Sequence, residues 1–297
     1  MIVATRGRSE QLKTLLIYLR LQTLRPRHIV LVGTSAADVA VDTAEFDDDL
    51  TVTKVISVSA GSAIQRNKGI EWLVEHQALS PDSFTIFFDD DFRPDVNWVR
   101  SCDALFRDNL DIVGITGLVL ADGGHGYAVS EDSVEAYLAG TRRRESHWAQ
   151  GSMRDIATVY GCNMAFRNTV FGACTFDEKL PLYAWQEDRD FSGQAKSFGR
   201  IIFAPVCRGV HLGARSGRTS GMRLGYSQIS NLIYLSKKGT VSWSTSLKFM
   251  IKSVASNTIK SLNRNPNADY VGRLSGNLLA IRDTFIGRCD PGNIVNM

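Results

Sequence analysis

The chain has 297 residues, 44% of them hydrophobic, and a net charge of +3, an ordinary globular composition that can bury a normal core. No apolar run approaches the roughly 18 residues of a transmembrane helix, and the chain opens on a strand-like segment instead of a leader peptide, so we expect a cytoplasmic protein. Five widely spaced cysteines without a Cys-x-x-Cys pair argue against a disulfide framework and a zinc site.

The charge is distributed unevenly along the chain. Between Phe191 and Ala268 there are twelve Lys and Arg residues and no Asp or Glu. A basic last third predicts a polyanionic partner, such as phosphates, nucleic acid or an anionic membrane surface. We expect no nucleic acid, because no motif of interleaved aromatic and basic residues accompanies the charge.

The first 120 residues alternate between apolar strands and amphipathic helices. Strands are predicted at residues 2–5, 29–32, 52–58, 84–88 and 112–120. Helices are predicted between them, with Ser9, Ser62 and Asp95 as candidate N-caps. Unbroken apolar strands that alternate with helices indicate an α/β fold with a mostly parallel sheet, covered on both faces.

The rest of the chain is less regular. Residues 122–153 show little periodicity and indicate a long loop or insertion. Strands are predicted near 159–166 and 201–206, a helix at 187–198, and helical structure from Arg223 onward, including a last helix at 268–285. Before that last helix, one predicted helical segment combines an apolar stripe with basic residues: Leu247, Met250, Ile251, Val254, Ile259, Leu262, Lys248, Lys252 and Lys260. Such a helix either lies on a membrane surface or packs on the main domain with a solvated basic face.

Three consecutive carboxylates, Asp89, Asp90 and Asp91, follow the apolar strand at 84–88. Adjacent carboxylates repel one another, and a divalent cation among them relieves that repulsion. Ligands of open α/β sheets bind beyond the carboxyl ends of the strands, where this triplet lies. A metal with a phosphate-bearing ligand is the functional hypothesis, and a solvated acidic turn is the alternative.

A second pair of carboxylates, Glu187 and Asp188, begins a predicted helix directly after Trp185. The helix N-terminus favours the ionised form of a carboxylate, which can then act as a general base on a hydroxyl group. Simple complementation of the helix dipole explains the same pair without any chemistry.

Basic turns occur at three further places. Residues 61–69 form a small-residue turn that enters a helix carrying Arg66 and Asn67, and its backbone amides can accept an anion. Residues 5–8 form a similar basic turn after the first strand, and His211, a competent metal ligand, precedes a Gly-rich and Arg-rich segment that can close over a diphosphate. The basic residues of these two segments are Arg6, Arg8, Arg215 and Arg218.

In this order, the segments resemble those of the inverting glycosyltransferases of family two, which have the nucleotide-sugar-binding GT-A fold. The matching pieces lie within residues 1–215: 3–8, 61–69, 87–91, 161–167, 185–188 and His211. The resemblance therefore implies a GT-A domain at 1–215 and a basic helical extension at 216–297. The extension looks like that of bacterial exopolysaccharide-type transferases, through 225–227 and 273–278.

The resemblance implies a nucleoside diphosphate sugar donor and a role for each matched residue. Thr5, Arg6 and Arg8 would lie at the nucleobase with Arg66 and Asn67 nearby, and Asp89 and Asp90 would meet the ribose and diphosphate. Asp91 would bind Mn²⁺ or Mg²⁺ with help from His211. Asp188 would deprotonate the acceptor hydroxyl, with Glu187 as the alternative base, and Asn163 and Trp185 would shape the sugar and acceptor pocket. The acceptor would be a polysaccharide or lipid-linked glycan at the inner membrane face, with peripheral contact to anionic lipid.

One departure and two rival interpretations remain. Family members place an acidic residue at the end of the second strand, where this chain has Gly33, Thr34 and Ser35. A sugar-phosphate nucleotidyltransferase shares the layout, but its glycine-rich turn and following lysine are absent. The non-enzymatic alternative is a basic surface-binding protein that acts through its last third.

Overall fold

A computed structural model describes residues 1–124, 128–145, 147–214 and 220–297. The strands of these ranges are β1 (Ile2–Ala4), β2 (Ile29–Gly33), β3 (Val52–Ile56), β4 (Phe84–Asp89), β5 (Phe92–Pro94), β6 (Ile112–Asp122), β7 (Arg154–Asp155), β8 (Asn163–Arg167) and β9 (Arg200–His211). Their helices are α1 (Ser9–Arg20), α2 (Ser62–Glu75), α3 (Trp98–Asp108), α4 (Val134–Leu138), α5 (Glu187–Ala195), α6 (Gly221–Lys238), α7 (Trp243–Leu262) and α8 (Tyr270–Phe285).

The strands of the described ranges form one mostly parallel sheet in the order β3-β2-β1-β4-β8-β6-β9-β5, with β7 paired to β9. β1, β2, β3 and β4 are parallel to one another, and β6 is parallel to β9. β8 runs antiparallel between β4 and β6, so these two strands also point the same way. Six strands therefore end at one edge of the sheet, and this edge also receives the start of β8.

Apolar side chains bury both faces of the sheet, as the unbroken apolar strands predict. On one face α1 contributes Leu12, Leu15, Leu16 and Leu19, which pack with Trp98 and Phe106 of α3. On the other face Leu73 of α2 and Phe191 of α5 pack against β4 and β8. The α/β fold class predicted from the sequence is confirmed.

The helix starts differ from the predicted caps. Ser9 and Ser62 are the first residues of α1 and α2, and the N-cap positions are Arg8 and Gly61. Asp95 lies two residues before the N-cap of α3, and its carboxylate accepts a hydrogen bond from the backbone N–H of Asn97. The predicted N-caps therefore lie within one or two residues of the observed ones, which is the ordinary uncertainty of helix ends.

The segment predicted as a loop contains some regular structure. The short helix α4 lies within it, and its Val134 and Tyr137 are buried against the outer part of β6. An isolated helix of five residues has too few apolar positions for a periodic signal, so the sequence pattern missed it.

The last three helices pack on one another, and α6 lies closely on α8 through Gly225 and Gly276. Helix α7 begins at Trp243, upstream of the predicted stripe, and α8 begins at Tyr270, two residues after the predicted start. None of the described helices combines the length and hydropathy required to cross a bilayer. The predicted domain boundary at residue 215 lies outside the described residues and stays a prediction.

Candidate active site

The register of the sheet brings the ends of β1 and β4 together. Ala4 pairs with Asp89, so the residues that follow them, Thr5 and Asp90, lie side by side. The Thr5 hydroxyl donates a hydrogen bond to Asp90 Oδ2 at 2.6 Å. Arg8 Nε lies 3.2 Å from the same carboxylate oxygen, and Arg8 Nη1 lies 3.4 Å from Asp91 Oδ2.

The register also brings His211 to the triplet. Phe92 of β5 pairs with His211 of β9, and Asp122 at the end of β6 pairs with the same histidine. His211 Nε2 lies 3.4 Å from Asp91 Oδ1, while its Nδ1 lies 2.8 Å from Asp122 Oδ1. The histidine is thereby held between two carboxylates that are distant in sequence.

Asp89, Asp91 and His211 can hold a divalent metal ion. Each offers one ligand atom, and these atoms lie within 4.8 Å of one another. Asp91 Oδ1 is buried, and the contact to it that the described residues make is the 3.4 Å ion pair with His211 Nε2, which a cation between the two groups would replace. Two carboxylate oxygens and one imidazole nitrogen suit Mn²⁺, and Mg²⁺ binds to a similar oxygen-rich set.

The pKa values of this cluster reflect burial and close charges. Burial raises the pKa of Asp90 to about 7, against the attraction of Arg8. The pKa of Asp91 lies well below its usual range, because His211 and Arg8 outweigh the effect of burial. The same ion pairing, with Asp91 and Asp122, raises the pKa of His211 although burial opposes it. Metal binding at Nε2 requires the neutral imidazole, so a proton must leave His211 when a cation binds.

The second carboxylate pair lies next to this cluster and is joined to it by Arg66. The Arg66 guanidinium contacts Glu187 through Nη1 and Asp89 Oδ1 through Nη2, the latter at 3.2 Å. Its Nη2 also donates to the carbonyl oxygen of Gly161 at 3.2 Å. Asp188 accepts backbone N–H bonds on both oxygens, from Gly161 at 3.0 Å and Arg189 at 2.7 Å.

The two carboxylates of this pair differ in their surroundings. Burial raises the pKa of Glu187 to about 8, against the attraction of Arg66. Burial also raises the pKa of Asp188, while Arg189 and the backbone N–H groups oppose the shift. A carboxylate with a raised pKa is a stronger base when ionised, which suits proton abstraction from a hydroxyl group near neutral pH.

A strained loop leads into this pair. Leu182, Ala184 and Gln186 all have positive φ angles, and Gln186 is the N-cap of α5 in a left-handed conformation. Positive φ is costly for residues other than glycine and persists where surrounding contacts enforce it. One such contact is made by Asn231 of α6, whose Nδ2 donates to the carbonyl oxygen of Trp185 at 2.9 Å.

Comparison with solved structures supports an assignment of the fold. The chain matches GalNAc-T7 with UDP, GalNAc and Mn²⁺ at a TM-score of 0.55 and 16% identity, over 86% of this chain and 50% of that chain. It matches the mannosyltransferase PcManGT from Pyrobaculum calidifontis in complex with GDP-Man and Mn²⁺ at a TM-score of 0.53 and 14% identity, over 96% and 85% of the two chains. The chain has a GT-A fold.

A third match with the GT-A fold is S. aureus TarS, at a TM-score of 0.50 and 18% identity, over 77% of this chain and 39% of that chain. The chain thus spans half or less of two of these proteins. No protein-family model matches the sequence, and no curated protein matches it. At these identities the matches establish the GT-A fold only, and the activity must be inferred from the residues of the site.

The structure places two of the predicted basic site residues beside the carboxylates. Arg8 lies beside Asp90 and Asp91, because the turn after β1 directs it at the triplet. Arg66 lies between the two carboxylate clusters.

The structure separates Asn67 from the site. Its amide bonds both the N–H and the carbonyl of Phe176 and reaches Glu178, so it ties α2 to the segment before α5. The next residue along a helix points about 100° away from its neighbour, and this rotation turns Asn67 away from Asp89 while Arg66 faces it.

The remaining predicted site residues lie in β8, in loops, or outside the described residues. Asn163 is fully buried at the start of β8, and its Nδ2 makes no hydrogen bond to the described residues. Arg6 is exposed in the turn after β1, and Trp185 is half-buried. Arg215 and Arg218 lie outside the described residues.

Sequence reasoning missed three polar residues near the site. Asp122 ends β6 as Asp89 ends β4, and that parallel was the available signal. Tyr160 donates from its hydroxyl to Asp122 Oδ2 at 2.9 Å, with no sequence signal to single it out.

Asp38 is the third, and it lies shortly after the end of β2. It lies in the short 3₁₀ helix that follows β2 and accepts backbone N–H bonds from Gly7 at 2.7 Å and from Thr34 at 2.8 Å. These hydrogen bonds lower the pKa of Asp38 although burial opposes them. Asp38 comes five residues after Gly33, the last residue of β2, so no signal at the strand end points to it.

Proposed function

We propose that this chain is a metal-dependent, inverting glycosyltransferase that moves a sugar from a nucleoside diphosphate sugar to an acceptor hydroxyl. The observation that supports the proposal most directly is the arrangement of Asp89, Asp91 and His211 beside Glu187 and Asp188, with Arg66 between the two groups. Donor activation by the first group and acceptor deprotonation by the second require both groups to contact the same pair of bound substrates.

The donor half of the proposal rests on the carboxylate triplet. Asp91 and His211, with Asp89, would hold Mn²⁺ or Mg²⁺, which when bound neutralises the charge of the leaving diphosphate. Arg8 lies over Asp90 and Asp91, where its guanidinium can contact the same diphosphate. Thr5, Arg6 and Asp90 would complete the nucleotide side, and Asn163 would donate to the donor sugar from Nδ2, which makes no hydrogen bond to the described residues. The neighbours GalNAc-T7 and PcManGT carry Mn²⁺ with UDP or GDP-Man, which supports a donor of this class.

The acceptor half rests on Asp188. In this proposal Asp188 takes the proton of the acceptor hydroxyl as that oxygen bonds to the anomeric carbon. The bond from the anomeric carbon to the diphosphate breaks on the opposite side, the diphosphate leaves with the electron pair, and the configuration is inverted. Glu187 is the alternative base, but its carboxylate is engaged by Arg66, which leaves Asp188 as the better candidate.

The remaining parts of the proposal concern the sugar, the acceptor and the place of action. We propose a hexosyl donor and an acceptor on a polysaccharide or lipid-linked glycan, as in exopolysaccharide biosynthesis. Trp185, next to the base, would contact the acceptor. The GT-A domain would comprise residues 1–215 and the basic extension 216–297, and the protein would act on the cytoplasmic side, in peripheral contact with the inner membrane face.

Calorimetric titration with UDP, GDP and dTDP, each with and without Mn²⁺, tests the donor half. We expect metal-dependent binding of one nucleotide, lost in Asp91→Asn and retained in Asp188→Asn. A transfer assay with the matching nucleotide sugar then tests the base, and Asp188→Asn should lower turnover by about 100-fold or more. Absence of binding to every nucleotide would reject the transferase and favour a basic surface-binding protein, and full turnover by Asp188→Asn would reject the base.

A further inference from the structure

Helix α7 buries two polar residues and leaves several of its apolar residues exposed. Ser246 and Asn257 are its fully buried residues in the described structure. The Ser246 hydroxyl contacts the Ser236 hydroxyl of α6 at 2.6 Å, and Asn257 Nδ2 donates to Asn277 Oδ1 of α8 at 2.8 Å. Helix α7 is therefore attached to its neighbours both by these hydrogen bonds and by Met250 and Val254, which pack against the cluster that contains Tyr226 and Ile229.

The outward face of α7 carries an apolar row, here called the outer stripe. It consists of Trp243, Leu247, Ile251, Ile259 and Leu262, whose exposed fractions are 54%, 55%, 60%, 58% and 78%. Trp243, Leu247 and Ile251 are spaced four apart, and Ile259 and Leu262 follow further along the helix. At about 100° per residue the five side chains spread over roughly 160° of the helix circumference. A continuous apolar row of this length on a soluble surface marks a contact with a membrane or a partner.

Helix α8 exposes further apolar side chains. Val271, Leu278 and Phe285 are spaced seven residues apart, and their exposed fractions are 63%, 56% and 86%. A spacing of seven keeps side chains on one face of a helix. Helices α7 and α8 pack on each other, so the exposed apolar side chains of both helices lie in the same C-terminal part of the molecule.

Charge decides between the candidate occupants of the outer stripe. Lys248 and Lys252 follow Leu247 and Ile251 directly, both lysines are exposed, and no Asp or Glu occurs from Phe191 to Ala268. A second copy of the chain, related by a two-fold axis, would place lysines against lysines. An anionic phospholipid surface instead attracts each lysine while its interface accepts the apolar row and the Trp243 ring. We infer that the outer stripe lies in the headgroup region of an anionic membrane.

The opposite side of α7 faces the candidate active site. The Arg189 guanidinium lies 4.6 Å from the centre of the Phe249 ring, and Arg189 directly follows Asp188. Phe249 is two residues from both Leu247 and Ile251, which turns it about 160° away from each of them. One helix, about 10 Å across, therefore separates the Arg189 side chain from the lipid surface. Such an arrangement would present a lipid-anchored acceptor to the base, although the membrane contact itself does not rest on the proposed transferase activity.

Vesicle flotation with the full chain tests the inference. The probes are vesicles of phosphatidylcholine alone and vesicles of phosphatidylcholine with about 30 mol% phosphatidylglycerol. We expect binding to the anionic vesicles only, weakened by salt. The double variant Leu247→Ser/Ile251→Ser should lower partitioning on the order of tenfold to 100-fold, and Lys248→Glu/Lys252→Glu roughly tenfold or more.

A matched control and a second readout keep the test decisive. Leu110→Ser removes an exposed leucine far from α7 in the sequence, next to the start of β6, and should leave partitioning unchanged. Light scattering reports the oligomeric state of every variant, and circular dichroism reports its folding. Failure of the wild-type chain to bind anionic vesicles would overturn the inference. Binding that survives both double variants, or a wild-type dimer that the stripe variant dissolves, would also overturn it. Nucleotide binding by calorimetry is measured separately, so failure of the transferase proposal leaves this result interpretable.

Discussion

At the scale of single residues, Asp122 is the support of the candidate metal site. It holds His211 through Nδ1 at 2.8 Å, so that Nε2 faces Asp91. A carboxylate on the far nitrogen fixes the tautomer and orientation of a ligating imidazole. Tyr160 in turn donates to Asp122, which extends this support to the segment before β8.

Replacing Asp122 with Asn should weaken Mn²⁺ binding about 10-fold to 100-fold, because the amide holds His211 less firmly. Electron paramagnetic resonance of free Mn²⁺, at saturating nucleoside diphosphate, measures this affinity. Asp111→Asn, at the opposite end of the same strand and paired with Arg200, serves as the control. An unchanged dissociation constant in Asp122→Asn would show that Asp122 does not support the metal site.

The protonation of Asp188 predicts the pH dependence of turnover. The base acts only when ionised, and burial raises its pKa above the ordinary aspartate value of about 3.9. Turnover should therefore be constant at higher pH and decline as the pH falls through this raised pKa. The acidic limb of the pH profile should lie at a higher pH than for an ordinary aspartate. The pH profile of kcat at saturating substrates measures the limb, and nucleotide binding over the same range serves as the control for titration of His211. An acidic limb at or below the ordinary aspartate pKa would contradict the assignment.

At the scale of elements, two glycines determine how closely α6 and α8 approach. A Cβ atom on Gly276 would lie 2.1 Å from the carbonyl oxygen of Met222, and one on Gly225 would lie 2.0 Å from that of Arg273. Both obstacles are backbone atoms that cannot rotate away, so the helices can approach this closely only without those side chains. Tyr226 of α6 is buried at this contact and donates to Asp283 of α8 at 3.0 Å.

Gly276→Ala should therefore destabilise the fold by about 1–3 kcal/mol, since overpacking forces the helices apart. For a chain of this size each kcal/mol lowers Tm by roughly 2–4 °C, which differential scanning calorimetry resolves. Gly172→Ala is the matched control, because its Cβ would meet nothing within 4 Å. Equal Tm values for the two variants would contradict the close packing.

At the scale of the whole molecule, the C-terminal helices are joined to the candidate site by polar contacts. Asn231 of α6 bonds the Trp185 carbonyl, and Lys238 lies 2.7 Å from both Asp177 and Asp190. Asp190 also accepts from the Thr240 hydroxyl at 2.6 Å. The extension thus supports the strained loop that leads to Glu187 and Asp188.

Asn231→Leu keeps the volume of the side chain and leaves the Trp185 carbonyl without this donor. Loss of a buried hydrogen-bond partner costs about 1–3 kcal/mol, and we expect kcat to fall about tenfold or more. Nucleotide binding, which in the proposed function uses the other carboxylate cluster, should stay within about twofold of wild type and serves as the control. Wild-type kcat in a folded Asn231→Leu protein would show that α6 does not support the loop.

Local sequence patterns predict the α/β class, most of the helices, the two carboxylate clusters and the basic last third. These features are local: apolar periodicity sets the elements, and Asp89–Asp91 and Glu187–Asp188 are neighbours in the chain. Tertiary structure decided which groups meet, because the pairing of β9 with β5 and β6 brings His211 to residues about 90 and 120 positions away. It also directed Asn67 toward Phe176 and Glu178, and it left a row of apolar residues of α7 exposed. Register and helix rotation depend on packing across the whole chain, which no short segment of sequence encodes.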